Sequence, residues 1–240
     1  MNSEQAVSDP VHFYDEGERL PDQLPDSPFG IFLQWFDQAC AEKVTPNPNT
    51  IILSTLHKDG MPDSRAVLCK QIDPDPPNPG SLIFYTNYNG AKGHQLDAVP
   101  FVSANFHWDQ YQRQIRVRGP VIKTTEAESD AYFASRKLES RIGSWISDQS
   151  QPIESREALL DKVVGAMDKL GLDAAALMNG KKIEIPRPPH WGGYRLHAQS
   201  VELWAGGVGR VHDRALWTRV LTEDGDGFSY GPWSSTRLQP

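Results

Sequence analysis

Near its C-terminus the chain places two arginines, a histidine and an aspartate within five residues, Arg210-Val211-His212-Asp213-Arg214. An apolar, strand-like run, Val201–Trp204, and a bend, Ala205-Gly206-Gly207-Val208-Gly209, precede them. Glycine allows close backbone approach or positive φ, so this bend can gather Trp204 and the arginines around one ligand. A guanidinium pair offers planar forks of donors to a phosphate or carboxylate. A tryptophan beside it suits a flat aromatic ring. The same run is equally compatible with an exposed charged hairpin over a core tryptophan.

Further candidates are spread along the chain. Arg65-Ala66-Val67-Leu68-Cys69-Lys70 has a cation at each end. On a regular strand Arg65 and Lys70 face opposite ways unless a bulge intervenes. Tyr85-Thr86-Asn87-Tyr88-Asn89-Gly90-Ala91-Lys92-Gly93 runs from a strand through a turn into a helix start, where free amides, Thr86 and Lys92 could cradle a phosphate. An ordinary capped turn explains that stretch as well. Gln114 stands on a strand, and Tyr132 and Arg136, four apart, share a helix face with Ser140 following. Ser147-Asp148-Gln149-Ser150 is a polar helix end.

The elements that must position these residues follow from periodicity. Residues 1–25 are polar and proline-punctuated and are expected to form a mobile arm. Asp26-Ser27-Pro28 starts a helix that carries Phe29, Ile31, Phe32, Trp35 and Phe36 and reaches about Lys43. Strands are expected over Thr50–Leu56, Asp63–Ile72, Ser81–Thr86, Phe101–Trp108 and Arg113–Lys123, with a short helix at Lys92–Ala98. In the last of these strands Gln114, Arg116 and Arg118 share one face and Ile115 and Val117 the other. Helical spacing covers Thr125–Arg136, Ser140–Ser147 and Glu154–Leu170. Strands return at Gly193–His197, Ser200–Trp204, Ala215–Thr222 and Gly227–Arg237. No second core is evident. Strands, a helical insertion and strands again argue a mainly β, α+β chain: an antiparallel barrel with peripheral helices.

Totals narrow the function. The 240 residues carry a net charge of −7, against general nucleic-acid or anionic-membrane binding but not against a local basic pocket. No apolar run approaches a membrane span, and the acidic, polar N-terminus is no signal peptide. Cys40 and Cys69 form no CxxC and read as buried thiols of a cytoplasmic protein. The seven histidines are scattered and no metal spacing, nucleophile elbow or P-loop occurs.

Taken together, the segments make the chain resemble the pyridoxamine 5′-phosphate oxidase family, FMN-dependent enzymes that make pyridoxal 5′-phosphate. The resemblance runs from about Phe29 to Pro240. It rests on Arg65–Lys70, Phe84–Asn87 with Lys92-Gly93, Arg113-Gln114, Tyr132-Phe133 with Arg136, Gln149-Ser150, Trp191-Gly192-Gly193, Arg210–Arg214 and Arg237–Pro240. It implies a split β-barrel that binds FMN, one oxidase domain over 26–240, and a homodimer with FMN between the subunits. It implies that Arg65, Thr86, Lys92 and Ser150 hold the FMN phosphate or ribityl chain. Tyr85, Lys70, Gln114, Gln149, Trp204 and Arg214 would surround the rest of the flavin. Lys70, Tyr132, Arg136 and Ser140 would bind substrate phosphate, with the catalytic pair Arg210 and His212 over the pyridine ring. Oxygen would be the acceptor and hydrogen peroxide the product. Three positions depart from the family pattern: Ala91 where an arginine is usual, Ala205 where a glutamine is usual, and Val11 where an arm arginine is usual beside Tyr14. These departures leave two alternatives: a flavin oxidase of the phenazine-biosynthesis type, or a non-catalytic binder of FMN or pyridoxal phosphate.

Overall fold

A computed structural model describes residues 17, 19–169 and 184–240 of the chain. Alternation along the strands builds its core. In β1 (Thr50–Leu56), Ile51, Leu53 and Thr55 turn inward; in β4 (Phe101–Trp108), Val102, Ala104, Phe106 and Trp108 do so. In β5 (Arg113–Lys123), Ile115 and Val117 are buried while Gln114, Arg116 and Arg118 look outward, as the sequence predicts. Together with β2 (Pro62–Asp73), β3 (Ser81–Asn87) and β6 (Trp191–His197), these strands pair antiparallel in the order β5-β4-β1-β2-β3-β6. A further pairing of β5 with β6 closes a six-stranded barrel. Outside it, β7 (Ser200–Ala205), β8 (Asp213–Thr218) and β11 (Ser234–Leu238) extend the sheet from β5. Among the described residues, no helix is long and apolar enough to cross a membrane.

Five helices flank the barrel among the described residues. In α1 (Phe29–Glu42), Phe29, Phe32, Trp35 and Ala39 recur at helical spacing and are buried. Phe32 and Phe36 meet the Phe106 ring edge-on, at 5.5 and 5.7 Å between centroids. The short α2 (Ala91–Ala98) follows β3 closely, and Gly93 is required there: a Cβ at that position would lie 1.8 Å from the Tyr88 carbonyl. Between β5 and β6 come α3 (Glu126–Ser135), α4 (Leu138–Ile146) and α5 (Arg156–Lys169). Thr125 caps α3 in a reciprocal pairing with Glu128: its hydroxyl accepts from Glu128 N (3.2 Å) and its amide donates to Glu128 Oε2 (2.9 Å).

The structure corrects several expectations. The arm expected over 1–25 ends early: Leu20 is buried, its amide donates to Asp213 (2.8 Å), and Pro25 O accepts from Trp217 Nε1 (2.8 Å). Val11, Tyr14 and the helix end at Leu170 lie outside the described residues. A second, smaller core exists, built by Phe133, Ile142, Ile185 and Trp191. Cys69 is buried but Cys40 only half so. The last pair of expected strands is four strands. The chain leaves the main sheet at Arg219, whose guanidinium donates to the carbonyls of Ala198 and Pro79 (2.7 Å each). The detached stretch forms a hairpin of β9 (Leu221–Asp224) and β10 (Gly227–Tyr230).

That hairpin covers His197. Its ring packs on Phe228 (5.0 Å between centroids) and Nδ1 shares a 2.6 Å hydrogen bond with Tyr230 Oη. Burial, and then the Arg195 and Arg219 charges, push the imidazole down from 6.5 to about 4. Above 6.5 the ring is neutral in both folded and unfolded chains. Between about 6.5 and about 4 the unfolded chain takes up a proton that the fold refuses. Stability should therefore fall with acid by about 1.4 kcal/mol per pH unit across that window, on the order of 3 kcal/mol in all. Urea unfolding at several pH values checks this. His197→Gln should lose that part of the slope; equal slopes would exclude His197 as its source.

Candidate active site

One open cleft of about 760 Å³ lies where β2, β3, α2, α3 and α4 converge. Among the described residues its walls carry Arg65, Lys70, Lys92, Arg136 and Lys137 and no aspartate or glutamate. Most of the predicted residues are thus brought together: Arg65, Lys70, Tyr85, Thr86, Lys92, Tyr132, Arg136, Ser140 and Gln149 all line it. Arg65 and Lys70 both line the cleft, as do Ala66, Val67 and Leu68 between them, and the register of β2 against β3 shifts between Cys69 and Gln71. The shift breaks the strict alternation that would set them on opposite faces.

At one end of the cleft, Lys92 Nζ donates to Thr86 Oγ1 (2.8 Å) and to Gln149 Oε1 (2.6 Å). No carboxylate pairs with it among the described residues. Arg65 stands nearby, tied to Asp63 (2.5 Å), Thr55 and Gln95. Burial, helped by the Arg65 charge, pushes the Lys92 ammonium down from 10.5 to about 8. The amides that open α2 are close by in sequence, beginning with that of Ala91.

At the other end, aromatic planes are stacked. Tyr85 lies on Tyr132 (3.9 Å, 16° between planes) and on Trp191 (5.5 Å, 10°). The Arg136 guanidinium sits 4.5 Å over the Trp191 ring, and its Nη1 donates to Ser144 Oγ (2.5 Å). Burial lowers the Arg136 pKa and raises that of the Tyr85 phenol to about 12. Arg136 is not within the helix, as the spacing had suggested, but is its extended C-cap, and α4 begins at Leu138, two residues before Ser140. Lys137, Ser144 and Trp191 also line the cleft, and sequence reasoning gave them no role. Ser144 could have been found as the residue one turn beyond Ser140.

The remaining candidates lie elsewhere. Ser150, exposed and at φ 70°, follows Gln149 but does not line the cleft. Gln114, Trp204 and Arg214 face one another in register across β5, β7 and β8. The His212 ring lies 4.6 Å from that of Trp204, and His212 Nδ1 accepts from Gly207 N (3.2 Å). Gly209, at φ 64°, and Arg210, at φ 68°, turn the chain there. A non-glycine residue at positive φ is strained and worth attention at a candidate site. Arg214 binds the buried Glu202 (2.7 Å) and the carbonyl of Gln239 (2.9 Å). Within one chain these residues form a second constellation, and none lines the cleft.

A closed six-stranded antiparallel barrel with an extended sheet and an adjoining cation-lined cleft is the architecture of split-barrel flavoproteins. Comparison with known proteins agrees. The sequence model described as "Pyridoxamine 5'-phosphate oxidase" matches residues 36–166, and "Pyridoxine 5'-phosphate oxidase C-terminal dimerisation region" matches residues 191–240. The pyridoxine/pyridoxamine 5′-phosphate oxidase of Paracoccus denitrificans (strain Pd 1222) is 41% identical over 224 residues, 90% of this chain and 96% of that one. Among solved structures, PhzG from Burkholderia lata 383, in complex with tetrahydrophenazine-1-carboxylic acid, is 27% identical with TM-score 0.75, covering 93% of this chain and 99% of that one. An FMN-binding protein from Nostoc punctiforme PCC 73102 shares the fold at 16% identity, TM-score 0.61, over 89% and 98% of the two chains. The chain belongs to the pyridoxamine 5′-phosphate oxidase family and is an FMN-dependent oxidoreductase.

The Lys92 environment makes a direct prediction. In ligand-free protein its ammonium should titrate near 8, well below ordinary lysines. Arg65→Met should raise that value, because one repelling charge is gone. An added phosphate anion should raise it too, by pairing with the charged form. Heteronuclear NMR of the lysine side-chain nitrogens reads all three. A Lys92 titrating with the surface lysines would show that the amine is not held dry.

Proposed function

We propose that the chain oxidises pyridoxamine or pyridoxine 5′-phosphate to pyridoxal 5′-phosphate, with oxygen as acceptor and hydrogen peroxide as product. The supporting observation is the charge of the cleft: cations at both ends, stacked aromatics beside Arg136, and no carboxylate among the described residues of its walls. Two separate cation groups suit two phosphates, one on the cofactor and one on the substrate. FMN fits the residues present. Lys92 is a buried amine without an anionic partner among the described residues, and Thr86, Gln149 and the first amides of α2 offer further polar groups for its phosphate and ribityl chain. Arg65 adds charge beside them, and Ser150 would follow Gln149 onto the cofactor. Lys70, Tyr132, Arg136 and Ser140 would bind the substrate phosphate, with Tyr85 flanking the rings. Bound FMN supplies a two-electron acceptor for a hydride from the substrate C4′ carbon.

The second constellation has a place in this reading. Gln114, Trp204 and Arg214 would bear on the flavin, and Arg210 and His212 on the pyridine ring. One chain keeps them apart from its own cleft, so a homodimer in which the partner supplies them would complete the site. The match of residues 191–240, which hold four of these five residues, to a dimerisation region supports it. A second reading, an oxidase of tricyclic phenazine precursors, is supported by the likeness to PhzG.

Anaerobic addition of pyridoxamine 5′-phosphate to the flavin-loaded protein tests the proposal. The flavin absorbance should bleach, and readmitted air should restore it with release of peroxide. Bleaching by a dihydrophenazine carboxylic acid alone would favour the second reading, and none with either would leave a binding protein. Arg136→Ala should raise KM for the phosphorylated substrate by about tenfold or more, the size expected for a lost hydrogen bond to a charged group. Steady-state kinetics at saturating FMN measures this; an unchanged KM removes Arg136 from the substrate site.

A further inference from the structure

Behind Arg65 lies a polar network that touches no part of the cleft. Its centre is Gln95, buried on α2 at 3% exposure. All four hydrogen-bonding positions of its amide are used. Oε1 accepts from Thr55 Oγ1 and from Arg65 Nη2 (3.0 Å). Nε2 donates to Asp63 Oδ2 (3.1 Å) and shares a 2.8 Å bond with His57 Nε2. Arg65 is held just as fully. Nη1 donates to Leu53 O (3.3 Å) and Thr55 Oγ1 (2.5 Å), and Nη2 to Asp63 (2.5 Å) and Gln95. Four of the five guanidinium N–H groups are therefore committed inside the chain, and only the Nε–H edge is left for a ligand.

We propose that Gln95 is a positioning residue for the cofactor phosphate, holding Arg65 so that its charge and its Nε–H edge stay turned to the cleft beside Lys92. The proposal rests on the assignment of the FMN phosphate to Arg65 and Lys92. Two features make Gln95 suited to this. It lies three residues after Lys92, on the same face of α2, so one short helix carries one cation and braces the other. It also shares Asp63 Oδ2 with Arg65 Nη2 while accepting from that same Nη2, so it ties the guanidinium and its carboxylate partner into one fixed arrangement. Without it, Nη2 keeps only its Asp63 bond, and the guanidinium is free to turn about that bond and away from the ligand.

The test is FMN dissociation from the purified holoenzyme on dilution, read by flavin fluorescence. Gln95→Met keeps the volume and removes the four bonds. It should raise the FMN Kd by about tenfold or more while kcat and substrate KM at saturating FMN stay within about twofold. In an Arg65→Met background the same change should have little further effect, since the residue it positions is gone. Should Gln95→Met not fold, Gln95→Glu serves: it keeps the shape but sets a carboxylate on Arg65 in competition with the phosphate, and FMN should again weaken. An unchanged Kd in the variant that folds, or an equal penalty with and without Arg65, overturns the proposal. If Arg65→Met and Lys92→Met themselves leave Kd unchanged, the phosphate assignment fails and the proposal with it. An effect of those two without one from Gln95 sinks the proposal alone.

Discussion

An acidic chain that binds anions must keep its own carboxylates away from them. Among the described residues this chain sets cations on the cleft wall and keeps its carboxylates off it, paired with arginines. Asp63 stands behind Arg65. Glu128 and Asp73 hold Arg195 on β6, and Glu126 and Asp130 hold Arg187 just before it. Neutral groups steady the wall cations themselves: Thr86 and Gln149 for Lys92, Ser144 and the Trp191 ring for Arg136. Like charges gathered in a half-buried cleft are costly. Burial first, and then the Arg65 charge, hold the Lys92 pKa down, and an arriving phosphate would favour its charged form.

The helical insertion between β5 and β6 gives the cleft its second wall. Its own small core, Phe133, Ile142, Ile185 and Trp191, fixes α3 and α4 against the barrel. Two ionic fasteners add direction. Glu128 joins the start of α3 to Arg195, while Arg187 joins the middle of α3 to the start of β6 through Asp130 (2.7 Å) and the Trp191 carbonyl (2.6 Å). Since Tyr132 and Arg136 lie at the far end of α3, both fasteners bear on where these two meet Tyr85 and Trp191. The two sides also meet directly, through Lys92 with Gln149 and through Tyr85 stacked on Tyr132.

What the sequence discloses depends on whether the determinant is local. The bounds of β1, β4 and β5 could be read from alternation alone, because each strand buries one face against a single core. The α3 start was marked by Thr125 with Glu128. The shift in β2 could not be read, since a bulge is fixed by the partner strand's register and not by the bulged residues. The break at Arg219 was hidden for the same reason: its guanidinium is captured by carbonyls more than twenty and more than a hundred residues away in sequence. Spacing alone does not say which residues one chain can bring together; it is the resemblance, with FMN between two subunits, that joins the two constellations into one expected site. Lys137 carries no signal in the sequence, since a lysine after an arginine reads equally well as solvated surface; its place on the cleft wall depends on the fold.

The structure also sorts the departures from the family pattern that lie among the described residues. Ala205 and Trp204 are neighbours on β7, so their side chains point to opposite faces. Trp204 is half-buried beside His212, whereas Ala205 is fully buried and belongs to the barrel core. An amide at 205 would therefore point into that core unless the strand shifted, and its absence takes nothing from the face that Trp204 shares with Gln114 and Arg214. Ala91 is different. It is the first residue of α2, half-exposed, directly before Lys92 and after a glycine that supplies no side-chain cap. An arginine there would stand where helix amides already favour an anion. The departure at 91 thus falls at the Lys92 end of the cleft; with the cofactor phosphate there, as proposed, the burden would pass to Lys92 and to Arg65, whose outer N–H groups are already spoken for. In a site with one cation fewer, how firmly Arg65 is held decides more of the affinity than it would where a second arginine shares the load.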